Sequence, residues 1–400
     1  MVARPVARPL VVLLLLVLHA CSGDDTNATA TATATATAGL TTTGTSTTVA
    51  TTTATAGESD TNTSTTTEPT TTATTATTDA ATTDASTTAA TTDASTTAAT
   101  TTGGLCLDVL PNPAGDDAIL APKYVGTYFA YDLGPVPAPG GQVLPRLGGL
   151  VVAPGDPDTM LVIGPSEVPE AKLHRIGVER GACGHILGFV GEAEEILTAP
   201  YLDLMVNGPK GVVFLSHYPT KQLSQYHPFE LTLAATHDLA PLGQNQSPGG
   251  LNFVPPGYPD AGMLRVMGFP TDHNGPGTWS RADINWNGAT YDIAPLVKTV
   301  DVPYGPGGFA YIPEGSPLFP EQRIMVTEWL SNPRSVSSYV VDAEGDPIID
   351  TRELFFESFV KPWGSYFEPE TGDYIFLQWE AQPDHVFIVQ GFVPPPPLPG

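Results

Sequence analysis

A unit of about fifty residues recurs five times from Gly149 onward, and no other feature restricts the fold as much. Gly149-Leu-Val-Val-Ala-Pro154, Gly250-Leu-Asn-Phe-Val-Pro255, Gly308-Phe-Ala-Tyr-Ile-Pro313 and Gly364-Ser-Tyr-Phe-Glu-Pro369 each hold Gly and Pro five apart around a strand-like run. Leu202-Asp-Leu-Met-Val-Asn207 is a degenerate copy, so the starts at 149, 202, 250, 308 and 364 are spaced by 53, 48, 58 and 56 residues. A second apolar run follows each start: 160–163, 212–215, 263–267, 324–327 and 374–379. After a polar loop comes a third, at 172–176, 223–226, 279–283, 336–341 and 386–389.

Short β-branched and aromatic runs punctuated by Gly and Pro read as antiparallel strands, and no 3.6-residue periodicity intervenes. With 41 Pro and 40 Gly but only 14% charged residues, a helix-rich fold is excluded. Five small sheets in series predict an all-β chain, a five-bladed β-propeller over 123–392. The last repeat has no room for a fourth strand before the Pro-rich tail at 393–400, whereas Lys123 to Leu133 is a strand with no blade of its own. Pairing the two closes the ring and removes an open edge. Six blades is the alternative if Leu133 to Leu147 hides another partial unit.

The runs at 249–257, 307–315 and 369–376 resemble repeats of a family of uncharacterised secreted bacterial β-propellers with an N-terminal lipoprotein-type signal. The resemblance covers roughly the last 250 residues and implies fold rather than activity.

Residues 1–21 have a signal layout: Arg4 and Arg8, then an apolar run from Leu10 to Leu18 too short to span a bilayer. Leu18-His19-Ala20-Cys21 resembles a lipobox, which implies lipidation at Cys21 and, with Ser22 next, sorting to the outer membrane. His19 departs from that pattern, and an ordinary cleaved signal is the other reading. Residues 22–103 read as a disordered tether: 39 of the 77 residues from Thr26 to Thr102 are Thr, and 81–89 recurs as 90–98. A flexible chain of that length spans about 50 Å. A strap at 104–122 leads into the ring. The remaining cysteines, Cys106 and Cys183, would pair outside the cytoplasm and staple the strap to the first blade, with two free thiols as the alternative.

The net charge of −26 repels nucleic acid and anionic membrane surfaces. No nucleophile elbow, P-loop or dinucleotide fingerprint occurs. Asp283-Ile-Asn-Trp-Asn-Gly288 matches half a calcium loop, but Asn287-Gly288 between two strands favours a plain hairpin. His217, His227 and His237 are evenly spaced, yet on a chain that reverses direction they read as loop residues rather than a zinc site, and no metal or other cofactor is expected. Asp203, Glu314 and Glu368 flank inner strands at differing repeat positions, a weak pattern for paired carboxylate chemistry, and the catalytic residues, if any, are unassigned.

The loops after the second runs form the more specific set. They hold Glu167, His217, Asp272, His273, Glu328, Trp329, Trp379 and Glu380. Equivalent loops of a propeller open at one end, so these side chains are expected to surround one mouth and bind a ligand. The expectation is therefore a monomeric binding module for a glycan or protein, held in the cell envelope by a lipid anchor on the outer membrane, with the ring in the periplasm or at the cell surface. A propeller hydrolase acting on carbohydrates or lactones is the alternative, and a structural envelope component a third reading.

Overall fold

The five repeats become five antiparallel sheets of a computed structural model that describes residues 99–102, as backbone, and 105–398. The signal, Cys21 and the tether up to residue 98 lie outside the described residues. Blade 1 runs outward as Leu150–Ala153, Asp156–Ile163, Ala171–Arg180 and Ile186–Ala199. Blade 2 follows as Leu202–Asn207, Val213–His217, Gln222–Tyr226 and Leu233–Asp238. Blade 3 is Ser247–Phe253, Leu264–Phe269, Gly277–Ala282 and Val297–Val302. Blade 4 is Pro306–Tyr311, Arg323–Glu328, Ser335–Val340 and Glu353–Phe359. Blade 5 takes only three strands from the C-terminal repeat: Pro362–Phe367, Tyr374–Gln378 and Val386–Gln390.

Its fourth strand is Phe129–Gly134, paired antiparallel to Val386–Gln390 with Ile388 opposite Tyr131 and Val389 opposite Ala130. The ring is thus five-bladed and closed by the N-terminal strand. Past Gly134, the stretch 133–147 holds only the two-residue strands Pro137–Ala138 and Gln142–Val143, not a sixth blade. Three more strands lie where the sequence suggested none. Ala118–Leu120 extends blade 4 to five strands, and Ala99–Thr102 pairs with Leu105–Asp108. Cys106 and Cys183 are joined in a disulfide, with Cα atoms 5.4 Å apart.

The repeated glycine has a steric cause. A Cβ on Gly149 would lie 2.3 Å from Met205 N, one on Gly250 2.7 Å from Gly307 O, one on Gly308 2.7 Å from Ser365 N, and one on Gly364 2.7 Å from Gly148 O. The innermost strands therefore pack backbone against backbone around the axis, a separation that excludes any side chain. Blade 2, the copy without the motif glycine, presents Met205 N to Gly149. Middle strands such as Arg323–Glu328 and Tyr374–Gln378 are buried at every residue, because each blade is covered by a neighbour on both faces. Between blades 4 and 5 the filling is aromatic: Phe355, Phe356, Tyr374, Phe376 and Phe387, with Tyr124 and Tyr128 brought in by the N-terminal segment.

Asp283–Gly288 forms the expected hairpin, Ile284–Trp286 against Tyr291–Ile293, with Asn287 Oδ1 accepting from the backbone N–H of Ala289 and Thr290 at 3.1 and 2.9 Å. Among the described residues no group of three or more His, Cys, Asp or Glu is placed to hold a metal ion. His217 and His237 spend ring nitrogens within their own blade, on Ser224 and Gln225.

Candidate functional site

The turns after the second strands and the blade-to-blade connections share one end of the ring, the mouth. Its floor is Trp363, the second residue of blade 5's inner strand and almost fully buried. The indole reaches across the axis, and Nε1 donates to Asp203 Oδ1 at 2.8 Å, on the inner strand of the non-adjacent blade 2. Gly307 makes room for it, since a Cβ there would meet the indole at 3.0 Å. Trp379 stacks on Trp363 with centroids 5.6 Å apart, and Trp329 meets both edge-on at 5.3 and 5.9 Å. Phe269 packs edge-on against Trp363 at 5.4 Å and carries Tyr218 and His273 on its other contacts. Trp329 and Trp379 remain partly exposed, so the cluster offers an aromatic surface to solvent.

Carboxyl groups lie beside these rings. Burial pushes Asp203 up to about 7, opposed only by the Trp363 hydrogen bond, and its Oδ2 is buried with no hydrogen-bond partner. Glu167 is raised well above the usual carboxylate range, first by burial and next by Asp203, with Arg146 pulling the other way and Glu380 adding to the rise. Tyr218 is pushed up to about 12 by burial and by the same two carboxyls. Arg146 sits 5.1 Å over the Trp379 ring and pairs with Glu380 at 3.3 Å. Ser166 fixes the Trp379 indole, accepting from Nε1 at 3.0 Å.

Four of the five mouth turns hold a non-glycine residue in the left-handed region: Glu167 at φ 57°, Lys221 at 56°, His273 at 53° and Glu380 at 59°. Such residues cost about 1 kcal/mol each and persist where surrounding contacts impose them. Glu167 shows how: its N–H is tied to Leu202 O, and the Ser166 N–H to Arg146 O.

Glu167, His273, Trp329, Trp379 and Glu380 thus share the mouth through contacts with one aromatic cluster and its carboxyls. His217, Glu328 and Asp272 do not join them. His217 and Glu328 are the last residues of strands, where side chains alternate between faces, and both turn into their blades. His217 is held by Pro200 O at 2.7 Å and Ser224 Oγ at 2.8 Å. Glu328 accepts from Arg352, Ser335 and Tyr339. Asp272 is exposed and caps its own turn, accepting from Asn274 N at 3.1 Å. Glu314 and Glu368 follow the outgoing ends of inner strands, so Asp203 alone of the three inner-strand carboxylates reaches the mouth; Glu368 pairs with Arg180 instead. Trp363, Arg146 and Tyr218 were not among the sequence candidates. Trp363 lies just before the repeat glycine rather than in a turn, and Arg146 precedes the first repeat, so equivalence among repeats does not point to either.

No protein-family model matches the chain, and no curated protein matches it. Solved structures are similar in part. One is a glucose dehydrogenase-type oxidoreductase of Thermus thermophilus, at 14% identity over 66% of this chain and 92% of that one, with a TM-score of 0.39. The PQQ-bound aldose sugar dehydrogenase of Streptomyces coelicolor matches at 11% identity over 70% and 96%, with a TM-score of 0.38. A gluconolactonase of Xanthomonas campestris matches at 11% identity over 71% and 97%, with a TM-score of 0.37.

Proposed function

We propose that the mouth is a carbohydrate-directed active site that cleaves the C–O bond of a glycoside or a sugar lactone. The observation that carries this reading is the pair Glu167 and Asp203, two carboxyls raised together beside three tryptophans. Indole faces receive the C–H faces of a sugar ring, and the partly exposed Trp329 and Trp379 serve as that platform. Glu167, whose hold on its proton is strengthened by burial and next by Asp203, acts in its protonated form and donates that proton to the departing oxygen. Water supplies the hydroxyl to the carbon, and its proton goes to Glu380, the exposed carboxylate paired with Arg146. Asp203 touches no substrate in this reading. It fixes Trp363 and adds to the rise in proton affinity that burial gives Glu167.

The test is a panel of glycosides and aldonolactones, scored for binding and turnover. Glu167→Gln is expected to lower kcat by at least about 100-fold with Kd little changed. Trp379→Ala is expected to weaken binding by about tenfold or more. Because Glu167 acts in its protonated form, the rate falls as pH rises through its raised pKa. Trp-dependent binding with no turnover of any member would make the protein a binding module, and loss of neither property in either variant would remove the mouth from consideration.

The same reading holds the ring in the cell envelope through a lipid on Cys21, with residues 22–98 as the tether, which suits capture of extracytoplasmic saccharides. Mass spectrometry of the membrane fraction is expected to find an acylated Cys21 at the mature N-terminus, with Cys21→Ala releasing the protein. A soluble wild-type protein cleaved elsewhere would refute the anchor.

A further inference from the structure

The other end of the ring is built for different chemistry. There the inner strands end around a cavity of about 440 Å³, within the range of small-molecule sites. Between it and the mouth the axis narrows to a space of about 10 Å³ lined by Gly149, Gly308 and Gly364, room for no more than a water. The two ends therefore do not communicate. The cavity walls are largely apolar, with Val206, Phe253, Ala310, Tyr311 and Phe367 on four blades, and Pro395 to Leu398 of the C-terminal segment lie along one side. The two lining asparagines direct their amide N–H groups at backbone, Asn207 to Val152 O at 2.8 Å and Asn252 to Phe309 O at 3.2 Å.

One charged group belongs to this lining, and it is a cation. Lys210 is exposed at the rim, with Nζ 5.6 Å from the centre of the Trp286 ring and no ion pair among the described residues. In a chain with 42 acidic and 16 basic residues, a cation without a carboxylate partner leaves a local positive site on an acidic surface. The rim is also apolar: Trp286 is 41% exposed, and Phe229, 74% exposed, rests against Gly155, where a Cβ would lie 2.6 Å from its ring.

The geometry points to a second binding site at this end for an amphiphilic monoanion, such as a medium-chain carboxylate, whose apolar body fills the cavity while its charged group lies beside Lys210. Burying an alkyl chain contributes about 0.8 kcal/mol per CH₂, so the apolar wall supplies affinity and the lysine selects the head group. The Pro-rich segment forms one wall and so controls the width of the opening. Its stiff, extended backbone does this with little conformational entropy to lose.

The test is calorimetric titration of the full chain with dodecanoate and with dodecanol, both below their aggregation limits. Saturable one-site binding of dodecanoate is expected. Lys210→Glu should weaken dodecanoate by tenfold or more and dodecanol by less than threefold. Deleting residues 394–400 should change the affinity for both probes by fivefold or more, and Trp379→Ala at the mouth should change neither. Each variant is checked for an unchanged thermal transition, and Lys210→Gln serves if the charge reversal perturbs it. No saturable dodecanoate binding, equal binding by the Lys210 variants and wild type, or loss of binding in Trp379→Ala would each overturn the proposal.

Discussion

Two buried carboxyls show how surroundings decide what a residue can do. Glu328 is fully enclosed but receives Arg352, Ser335 and Tyr339, so both oxygens are engaged. Asp203 is equally enclosed and receives one indole N–H. Glu328→Ala strands the guanidinium and the tyrosine hydroxyl, and is expected to cost about 3 kcal/mol of stability, read by denaturant unfolding, while leaving ligand affinity at the mouth unchanged. Asp203→Asn should show itself through pH. The folded-state pKa of about 7 exceeds the ordinary value of 3.8, so the native state binds more protons than the unfolded state between these values. The contribution of this group to stability therefore falls as pH rises through that window, by up to about 4 kcal/mol. The asparagine variant is expected to lose that part of the slope, and its stability relative to wild type should rise from pH 4 to pH 7. Parallel pH profiles for the two proteins would show that Asp203 titrates normally. Sequence pattern alone could not separate Glu328 from Asp203, because the difference lies in partners contributed by other strands and blades.

At the scale of the strand, legibility followed sterics. The repeat could be read because in four of the five blades its glycines sit where inner strands touch and a Cβ would collide with the neighbouring backbone. The closing strand could be read because Phe129–Gly134 is apolar and aromatic while the last repeat stops one strand short. Ala118–Leu120 could not: three residues preceded by Gly-Asp-Asp and followed by Ala-Pro carry no periodicity, and pairing to Glu353–Phe359 alone makes them a strand. Ala99–Thr102 was hidden by composition, since Thr-rich chain looks like tether until a partner strand is supplied. Removing residues 22–98 is expected to leave the thermal midpoint within a few degrees of the full chain. Extending the deletion through Leu133 removes the outer strand of blade 5, whose net hydrogen bonds are worth about 1 kcal/mol each, and should abolish a cooperative transition. Similar melting of both truncations would contradict closure by this strand.

For the whole molecule, the end of the ring that gathers the aromatic and acidic groups could be read from strand order, because every second-to-third turn opens the same way. Which side chains reach the axis could not, since that depends on where each strand stops: Trp329 and Trp379 fall one residue beyond a strand and face the mouth, whereas Glu328 and His217 fall inside one and face the blade. The far-end cavity left no sequence signature, being made from the spread of five strand ends and a proline run. The closing strand has a further consequence, in time rather than in space. Phe129 pairs with Gln390, so the strand that closes blade 5 is synthesised long before its partner, and blade 5 keeps an unpaired edge until Val386–Gln390 has been made. Contacts so distant in sequence form slowly. Until Val386–Gln390 has been made, the ring stays open at blade 5, and the waiting strand is an unpaired edge on which another chain can pair.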